Sequence, residues 1–120
     1  MKIIDSNIII YSANPAFQYL DSLVTDPHNV VSLITLVETI GYQSLKPSDE
    51  IYFDGIFNIL RIIEVDRVIV NKAIEIRQQQ RIKLGDSIVA ATALVHGFEV
   101  YTRNVADFKK IPGLTVVNLI

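Results

Sequence analysis

The sequence contains no cysteine, no long apolar run and no excess of positive charge. Without cysteine, the 120-residue chain can have neither a disulfide framework nor a thiolate that binds metal or acts as a nucleophile. This absence fits a reducing cytoplasm, where we expect the protein to be. The apolar runs are too short to span a membrane, and an acid, Asp5, interrupts the first of them where a signal peptide would continue. A net charge of −2 gives no support by itself to a nucleic-acid partner, which would usually predict a basic chain.

The composition is that of a folded globule. Hydrophobic residues make up 50% of the chain and charged residues 20%, which argues against intrinsic disorder. No internal repeat, linker or low-complexity segment is apparent. We therefore predict a single domain over residues 1–120.

Short apolar segments alternate with longer stretches of helical periodicity. The apolar segments predict strands at residues 2–4, 30–31, 62–65, 99–102 and 115–117. Capping residues predict helix starts at Asn14, Ser32 and Asp66, and Gly97 predicts a helix end. Helical spacing places Val37, Ile51 and Ile74 on inward faces. The alternation predicts an α/β fold, a three-layer α/β/α sandwich with a mainly parallel five-stranded sheet.

Four acids fall at corresponding places in this pattern. Asp5 directly follows the first strand, and Glu38 lies about one turn into the helix after the second. Asp86 begins the helix that leads to the fourth strand, and Asp107, with Asn104, follows that strand. In a parallel sheet, all these places belong to the edge at which ligands bind. We therefore expect three or four carboxylates to lie together there.

Carboxylates held together repel one another unless they take up protons or surround a cation. Oxygen ligands without histidine or cysteine select hard cations such as Mg²⁺ or Mn²⁺. Such an ion can activate a water molecule and bind phosphoryl oxygens, as phosphodiester hydrolysis requires. The sequence leaves open whether one or two ions bind.

Each acid also has a simpler interpretation. Asp5 is compatible with an ordinary turn, and Asp86 and Asp107 with helix capping. Glu38 is harder to explain in this way, because it lies in an otherwise apolar stretch and a buried acid is costly without a partner. The shared location of the four acids favours a common site.

Four segments carry a resemblance to a known family. Residues 4–11, 31–38 and 82–94 each include one acid, and residues 101–108, followed by 111–114, include the fourth. Together they resemble the PIN-domain family, and most closely its small toxin branch, the VapC-like ribonucleases. The segment after Glu38 and the serine at position 87, where alanine is usual, differ mildly from the commonest forms, but neither change removes a ligand.

The resemblance implies an endoribonuclease, often one acting on structured RNA such as tRNA, with Mg²⁺ or Mn²⁺ as cofactor. It implies a homodimer and an antitoxin that blocks the site; exposed apolar residues such as Tyr52 and Phe53 are expected to serve these contacts. Metal ligation is implied for Asp5, Glu38, Asp86 and Asp107, with Asn104 as an alternative fourth ligand. The resemblance further implies supporting roles for Ser6, Asn7, Thr102 and Asn104.

The position of the basic residues partly reconciles an RNA substrate with the negative net charge of the chain. Arg103, Lys109 and Lys110 flank the fourth acid, so we expect them to contact RNA. Lys83 belongs to the same expected set, as do Arg77 and Arg81. For Arg77 and Arg81, at the polar end of a helix, a solvated surface is an equally good interpretation.

Two other functional classes require acids that this sequence lacks. A phosphoacceptor domain would need an acidic pair after the first strand, and a two-aspartate phosphatase would need an acid at position 7; Ser6 and Asn7 exclude both patterns. The alternative that stays open is a non-catalytic PIN-fold module that binds RNA or protein.

Overall fold

A five-stranded parallel sheet forms the centre of the molecule, which is described by a computed structural model over residues 1–120. The strands are β1 (Lys2–Ile4), β2 (Val30–Ser32), β3 (Arg61–Ile63), β4 (Glu99–Tyr101) and β5 (Val116–Val117). Their order is β3-β2-β1-β4-β5, and all four neighbouring pairs are parallel. The central position of β1 places Asp5, which follows it, between the ends of β2 and β4.

Helices cover both faces of this sheet. They are α1 (Ser6–Ser12), a 3₁₀ helix η1 (Pro15–Leu20), α2 (Asp21–Val24), α3 (Leu33–Ile40), α4 (Pro47–Ile59), α5 (Arg67–Gln79), α6 (Leu84–His96) and α7 (Val105–Phe108). Successive residues of β1 point to opposite faces, as in any strand. Ile3 packs into a core with α5 and α6, whereas Ile4 packs into a second core with α1 and α4. The predicted α/β architecture is confirmed.

Side-chain caps turn the chain into a helix directly after three of the strands. After β1, the Asp5 carboxylate accepts a hydrogen bond from the Ser6 backbone amide (2.8 Å). At the end of β2, the Ser32 hydroxyl oxygen accepts one from the Ile34 amide (3.3 Å). After β3, the Asp66 carboxylate accepts one from the Ile69 amide (2.9 Å). Each cap satisfies an amide that the first helical turn leaves without a partner. The helix starts therefore lie at one edge of the sheet.

The inward faces of three helices differ from the prediction. Val37 is 66% exposed and Ile51 is 73% exposed, and Ile74 is also exposed. In α3 the buried residues are instead Thr35 and Thr39. Burial of Thr39 is possible because its hydroxyl donates to the Thr35 carbonyl (2.9 Å), which satisfies the polar group inside the helix.

The helix predicted to begin at Asn14 is divided in two. The chain forms the 3₁₀ helix η1 and then α2, and Phe17 has a non-helical backbone (φ −115°, ψ 29°). The Phe17 ring meets the Tyr11 ring edge-on, with centroids 5.0 Å apart. Aromatic packing therefore accompanies the break. No helix in the structure is both long and apolar enough to cross a membrane.

Candidate active site

Asp5 is the most deeply buried of the four predicted acids, with 1% of its surface exposed. Its amide donates to the Tyr101 carbonyl (2.9 Å), which brings the end of β4 beside it. The Thr102 hydroxyl donates to Asp5 Oδ2 (2.7 Å). Burial is the main cause that raises the pKa of Asp5 from 3.8 to about 7; Thr102 and the Ser6 amide lower it, and the charges of Asp86 and Glu38 raise it further.

Glu38 approaches Asp5 from α3. Its Oε1 atom is buried and has no hydrogen-bond partner. Burial raises the pKa of Glu38, the nearby Ser6 side chain lowers it, and the charge of Asp86 raises it. Glu38 thus shares a negative environment with the other two acids.

Asp86 lies in the first turn of α6 and is 7% exposed. Its Oδ2 atom is also buried without a partner. Burial is the first cause that raises the pKa of Asp86, and the charge of Asp107 is the second; Lys83 and the Asn104 side chain lower it. Asp107 is half-buried on α7, and it lies close enough for its charge to act on Asp86.

Hydrogen bonds around Asp5 join the four predicted supporting residues to the acids. Asn7 Nδ2 donates to both Asp5 Oδ2 and Thr102 Oγ1 (3.3 Å each). The Thr102 hydroxyl oxygen also accepts a hydrogen bond from the backbone amide of Asn104 (3.0 Å). Ser6 lies near Glu38 and the Asn104 side chain near Asp86, so supporting residues lie beside three of the four acids.

The carboxylate oxygens of the site are suitable ligands for a hard cation, but they do not surround a single point. Buried carboxylate oxygens without donors, on Glu38 and Asp86, are costly unless a positive charge meets them. As the side chains stand, no three acids or histidines converge at metal-binding spacing. Oxygen-only ligands of this type suit Mg²⁺ or Mn²⁺, which keep several water ligands and need few carboxylates.

Three of the basic residues predicted to contact RNA, those that flank the fourth acid, differ in their placement. The Arg103 guanidinium lies over the Tyr11 ring, 4.8 Å from its centroid, and the Arg103 amide donates to Asn7 Oδ1 (3.1 Å). Lys110 lines a groove that also contains Asp107, whereas Lys109 is exposed outside it. None of the three forms an ion pair, so each is available to an anion.

Sequence reasoning missed two residues that shape the site. A Cβ atom at Gly85 would overlap Glu38 Oε2, so this glycine leaves room for the carboxylate. Thr35, one turn before Glu38, has a buried hydroxyl without a partner. Its spacing of three residues from Glu38 on one helix was a signal that could have revealed it.

Comparison with known proteins identifies relatives of this chain. The family described as PIN domain matches residues 2–114. Among curated proteins, Ribonuclease VapC1 of Rickettsia felis is 49% identical over 43 residues, 34% of this chain and 32% of that protein. Ribonuclease VapC of Rickettsia bellii is 31% identical over 70 residues, 57% of this chain and 52% of that protein. The matches thus span about a third and about half of these relatives' lengths.

Solved structures match over nearly the whole chain. A toxin–antitoxin complex from Klebsiella pneumoniae contains a chain that is 34% identical, with a TM-score of 0.77 over 98% of this chain and 96% of that one. VapBC2 from Rickettsia felis, bound to a promoter DNA fragment, gives a TM-score of 0.82 at 22% identity, over 99% of this chain and 98% of that one. The second similarity concerns the fold alone.

Proposed function

The chain belongs to the PIN-domain family, and from this membership we propose that it is a metal-dependent endoribonuclease, the toxin of a toxin–antitoxin pair. The observation that carries the proposal is the pair of buried, unpartnered carboxylate oxygens on Glu38 and Asp86 beside the buried Asp5. The names of the curated relatives support the choice of RNA as substrate.

In this proposal, Asp5, Glu38 and Asp86 hold Mg²⁺ or Mn²⁺, with Asp107 or Asn104 as a fourth ligand. When bound, such an ion lowers the pKa of a coordinated water and offsets charge on phosphoryl oxygens. Thr102 and Asn7 hold the Asp5 carboxylate in place through their hydrogen bonds. Arg103, unpaired at the mouth of the site, binds a substrate phosphate. No side-chain nucleophile is required.

The direct test is cleavage of purified total RNA, including tRNA, by the isolated protein. We expect products with Mg²⁺ or Mn²⁺ and none with EDTA, because without a cation the clustered carboxylates repel the phosphate and no bound water has a lowered pKa. If the folded, metal-loaded protein binds RNA without cutting it, the proposal fails and a non-catalytic binding module takes its place. Cleavage that persists in EDTA would also contradict it.

Partners are proposed on the similarity to toxin–antitoxin complexes. We propose an antitoxin and a homodimer, but the surface predicted from Tyr52 and Phe53 is wrong. Phe53 is 3% exposed in the core, and the Tyr52 hydroxyl donates to Ser12 Oγ (2.9 Å). Exposed apolar residues lie instead at Ile10 and Tyr42, which line a groove of about 280 Å³.

Gly85→Ala is expected to reduce RNA cleavage by about 10- to 100-fold without unfolding the protein. The new methyl group displaces the Glu38 carboxylate, a proposed metal ligand, and a misplacement of about 1 Å at an active site can cost about 100-fold in rate. Alanine is favoured over glycine inside a helix by about 1 kcal/mol, so the backbone itself is not disturbed. Cleavage rate and Tm are measured on the same preparation.

The matched control is Gly55→Ala. Gly55 also lies inside a helix, α4, but nothing lies within 4 Å of an added Cβ. We expect this variant to cleave RNA as the wild type does. Equal activity of both variants would mean that the position of Glu38 is unimportant.

A further inference from the structure

Thr35 differs from the other buried threonines of the chain in the state of its hydroxyl group. Four threonines are buried. Thr39 and Thr92 each donate to the carbonyl four residues earlier on the same helix (2.9 and 2.7 Å), and Thr102 donates to Asp5 Oδ2 (2.7 Å). Thr35 Oγ1 has no hydrogen-bond partner, although the residue is 0% exposed. Because a buried polar group without a partner lowers stability, this hydroxyl requires an explanation.

The position of Thr35 at the beginning of α3 explains why the usual acceptor is missing. Inside a helix, a threonine hydroxyl donates to a carbonyl of the preceding turn. Thr35 is the third residue of α3, so the residue four positions earlier is Val31, which lies in β2. Between them, Ser32 has an extended backbone (φ −75°, ψ 148°) that ends the strand. The Thr35 hydroxyl is therefore left to donate to a side chain.

Glu38 follows Thr35 by one turn on the same helix. Residues three positions apart on a helix have Cβ atoms about 5–6 Å apart, and long side chains lean back toward the preceding turn. The Glu38 side chain therefore leans toward Thr35. Glu38 Oε1 is itself buried without a partner, and Asp86 Oδ2 is the only other such side-chain atom in the chain. An unused donor and an unused acceptor thus lie on neighbouring turns.

Asp5 shows what a threonine hydroxyl does for an acid of this site. Thr102 Oγ1 donates to Asp5 Oδ2, and Asn7 Nδ2 donates to the same oxygen (3.3 Å), so this carboxylate has a fixed orientation. Carboxylates that bind metals are held by such hydrogen bonds, which orient them toward the ion. Glu38 Oε1 has no donor of this kind. Thr35 is the residue one turn away that can supply one.

We propose that Thr35 is a positioning residue for Glu38, and that its hydroxyl donates to the Glu38 carboxylate in the arrangement that holds a hard cation. This inference rests on the proposed metal-dependent function. Gly85 leaves room for the carboxylate on the α6 side, so the Glu38 side chain is not blocked there. The unpartnered hydroxyl destabilises the metal-free protein and is useful only when the carboxylate holds an ion. Its removal therefore affects stability and metal affinity in opposite directions.

Thr35→Val tests this inference, because valine keeps the branched shape but has no hydroxyl. In EDTA we expect the Tm to rise by about 3–5 °C, since a buried group without a partner is removed. We expect the Kd for Mn²⁺, measured from the electron paramagnetic resonance signal of the free ion, to rise about 10-fold or more. Thr35→Ser keeps the hydroxyl, so its Kd for Mn²⁺ should stay near the wild-type value.

Thr92→Val is the matched control. Thr92 is also 0% exposed, but its hydroxyl donates to the Ile88 carbonyl, so we expect neither a higher Tm nor a change in the Kd for Mn²⁺. A wild-type Kd for Mn²⁺ in Thr35→Val would overturn the proposal. A Tm in EDTA that falls together with the metal affinity would also overturn it, because that combination indicates a structural role.

A double variant shows whether Thr35 acts through Glu38. In a Glu38→Ala background, Thr35→Val should raise the Kd for Mn²⁺ no further, because the carboxylate that the hydroxyl orients is gone. An equal rise in both backgrounds would contradict positioning of Glu38.

Mn²⁺ binding and RNA cleavage separate this inference from the proposed function. If Thr35→Val weakens Mn²⁺ binding but the wild type cuts no RNA, the role of Thr35 stands and the nuclease proposal fails. If the wild type cuts RNA with Mn²⁺ but Thr35→Val binds the ion as tightly, the nuclease stands and the role of Thr35 fails.

Discussion

Asp5→Asn is expected to lower the rate of metal-dependent RNA cleavage on the order of 10³-fold or more. Asparagine has nearly the shape of aspartate and still accepts from the Ser6 amide, but it lacks the charge that a cation requires. A bound metal contributes several kcal/mol of transition-state stabilisation, and each 1.36 kcal/mol corresponds to about tenfold in rate. Asp5 is buried, and the charges of Glu38 and Asp86 act on it, so its own charge is part of the set that would hold the cation.

Asp66→Asn is the control for this experiment. Asp66 also follows a strand and caps a helix, by accepting from the Ile69 amide (2.9 Å), but it lies after β3, away from the acids. Asparagine caps helices as well as aspartate does, so stability and cleavage should be unchanged. Rates are measured with Mn²⁺ in excess, together with the Tm of each variant. Full activity of folded Asp5→Asn protein would place the active site elsewhere.

The second large effect concerns stability without metal. Burial raises the pKa of Asp5 from 3.8 to about 7, so between these values the folded protein keeps a proton that the unfolded chain has released. The free energy of unfolding of the metal-free protein therefore falls as pH rises from about 4 to 7. At 1.36 kcal/mol per pH unit, the loss amounts to about 4 kcal/mol. The pKa values of Glu38 and Asp86 are also raised, which adds loss in the same direction.

Denaturant unfolding in EDTA at pH 5 and pH 8 measures this loss. Mn²⁺ should restore most of the stability at pH 8, because the ion takes the place of the protons and binds the folded state preferentially. In Asp5→Asn, the difference between the two pH values in EDTA should shrink. Metal-free wild-type protein that is as stable at pH 8 as at pH 5 would contradict the raised pKa values of the three acids.

Local sequence patterns predicted which segments form strands and where helices begin and end. Element types follow from short-range patterns: Lys2-Ile3-Ile4 is apolar, Asp66 is a capping residue, and Gly97 reaches the left-handed backbone (φ 75°) that ends α6. The rule that parallel strands share a ligand-binding edge then predicted that the acids would lie together. The structure brings Asp5, Glu38 and Asp86 into one electrostatic environment, with Asp107 beside Asp86.

Helix orientation was not predictable in the same way. Val37 and Ile51 have helical spacing with other apolar residues, yet both are exposed, while Thr35 and Thr39 are buried. Spacing defines a face only relative to its own helix, and the neighbouring helices decide which face is covered. Since a threonine hydroxyl can donate to the preceding turn, hydrophobicity alone did not identify the buried face.

The sequence by itself therefore determined the fold class, the order of the strands and the placement of the acids at strand ends and in helices that follow them, because these depend on local periodicity and on the regular topology of parallel sheets. The tertiary structure alone decided that Gly85 leaves room for Glu38 and that Thr102 donates to Asp5. It also decided that the Gln80 side chain, after α5, donates to the Lys110 carbonyl, after α7. The two hydrogen bonds join residues that are 30 and 97 positions apart, and Gly85 and Glu38 lie on different helices. Such contacts depend on tertiary packing, which no local pattern encodes.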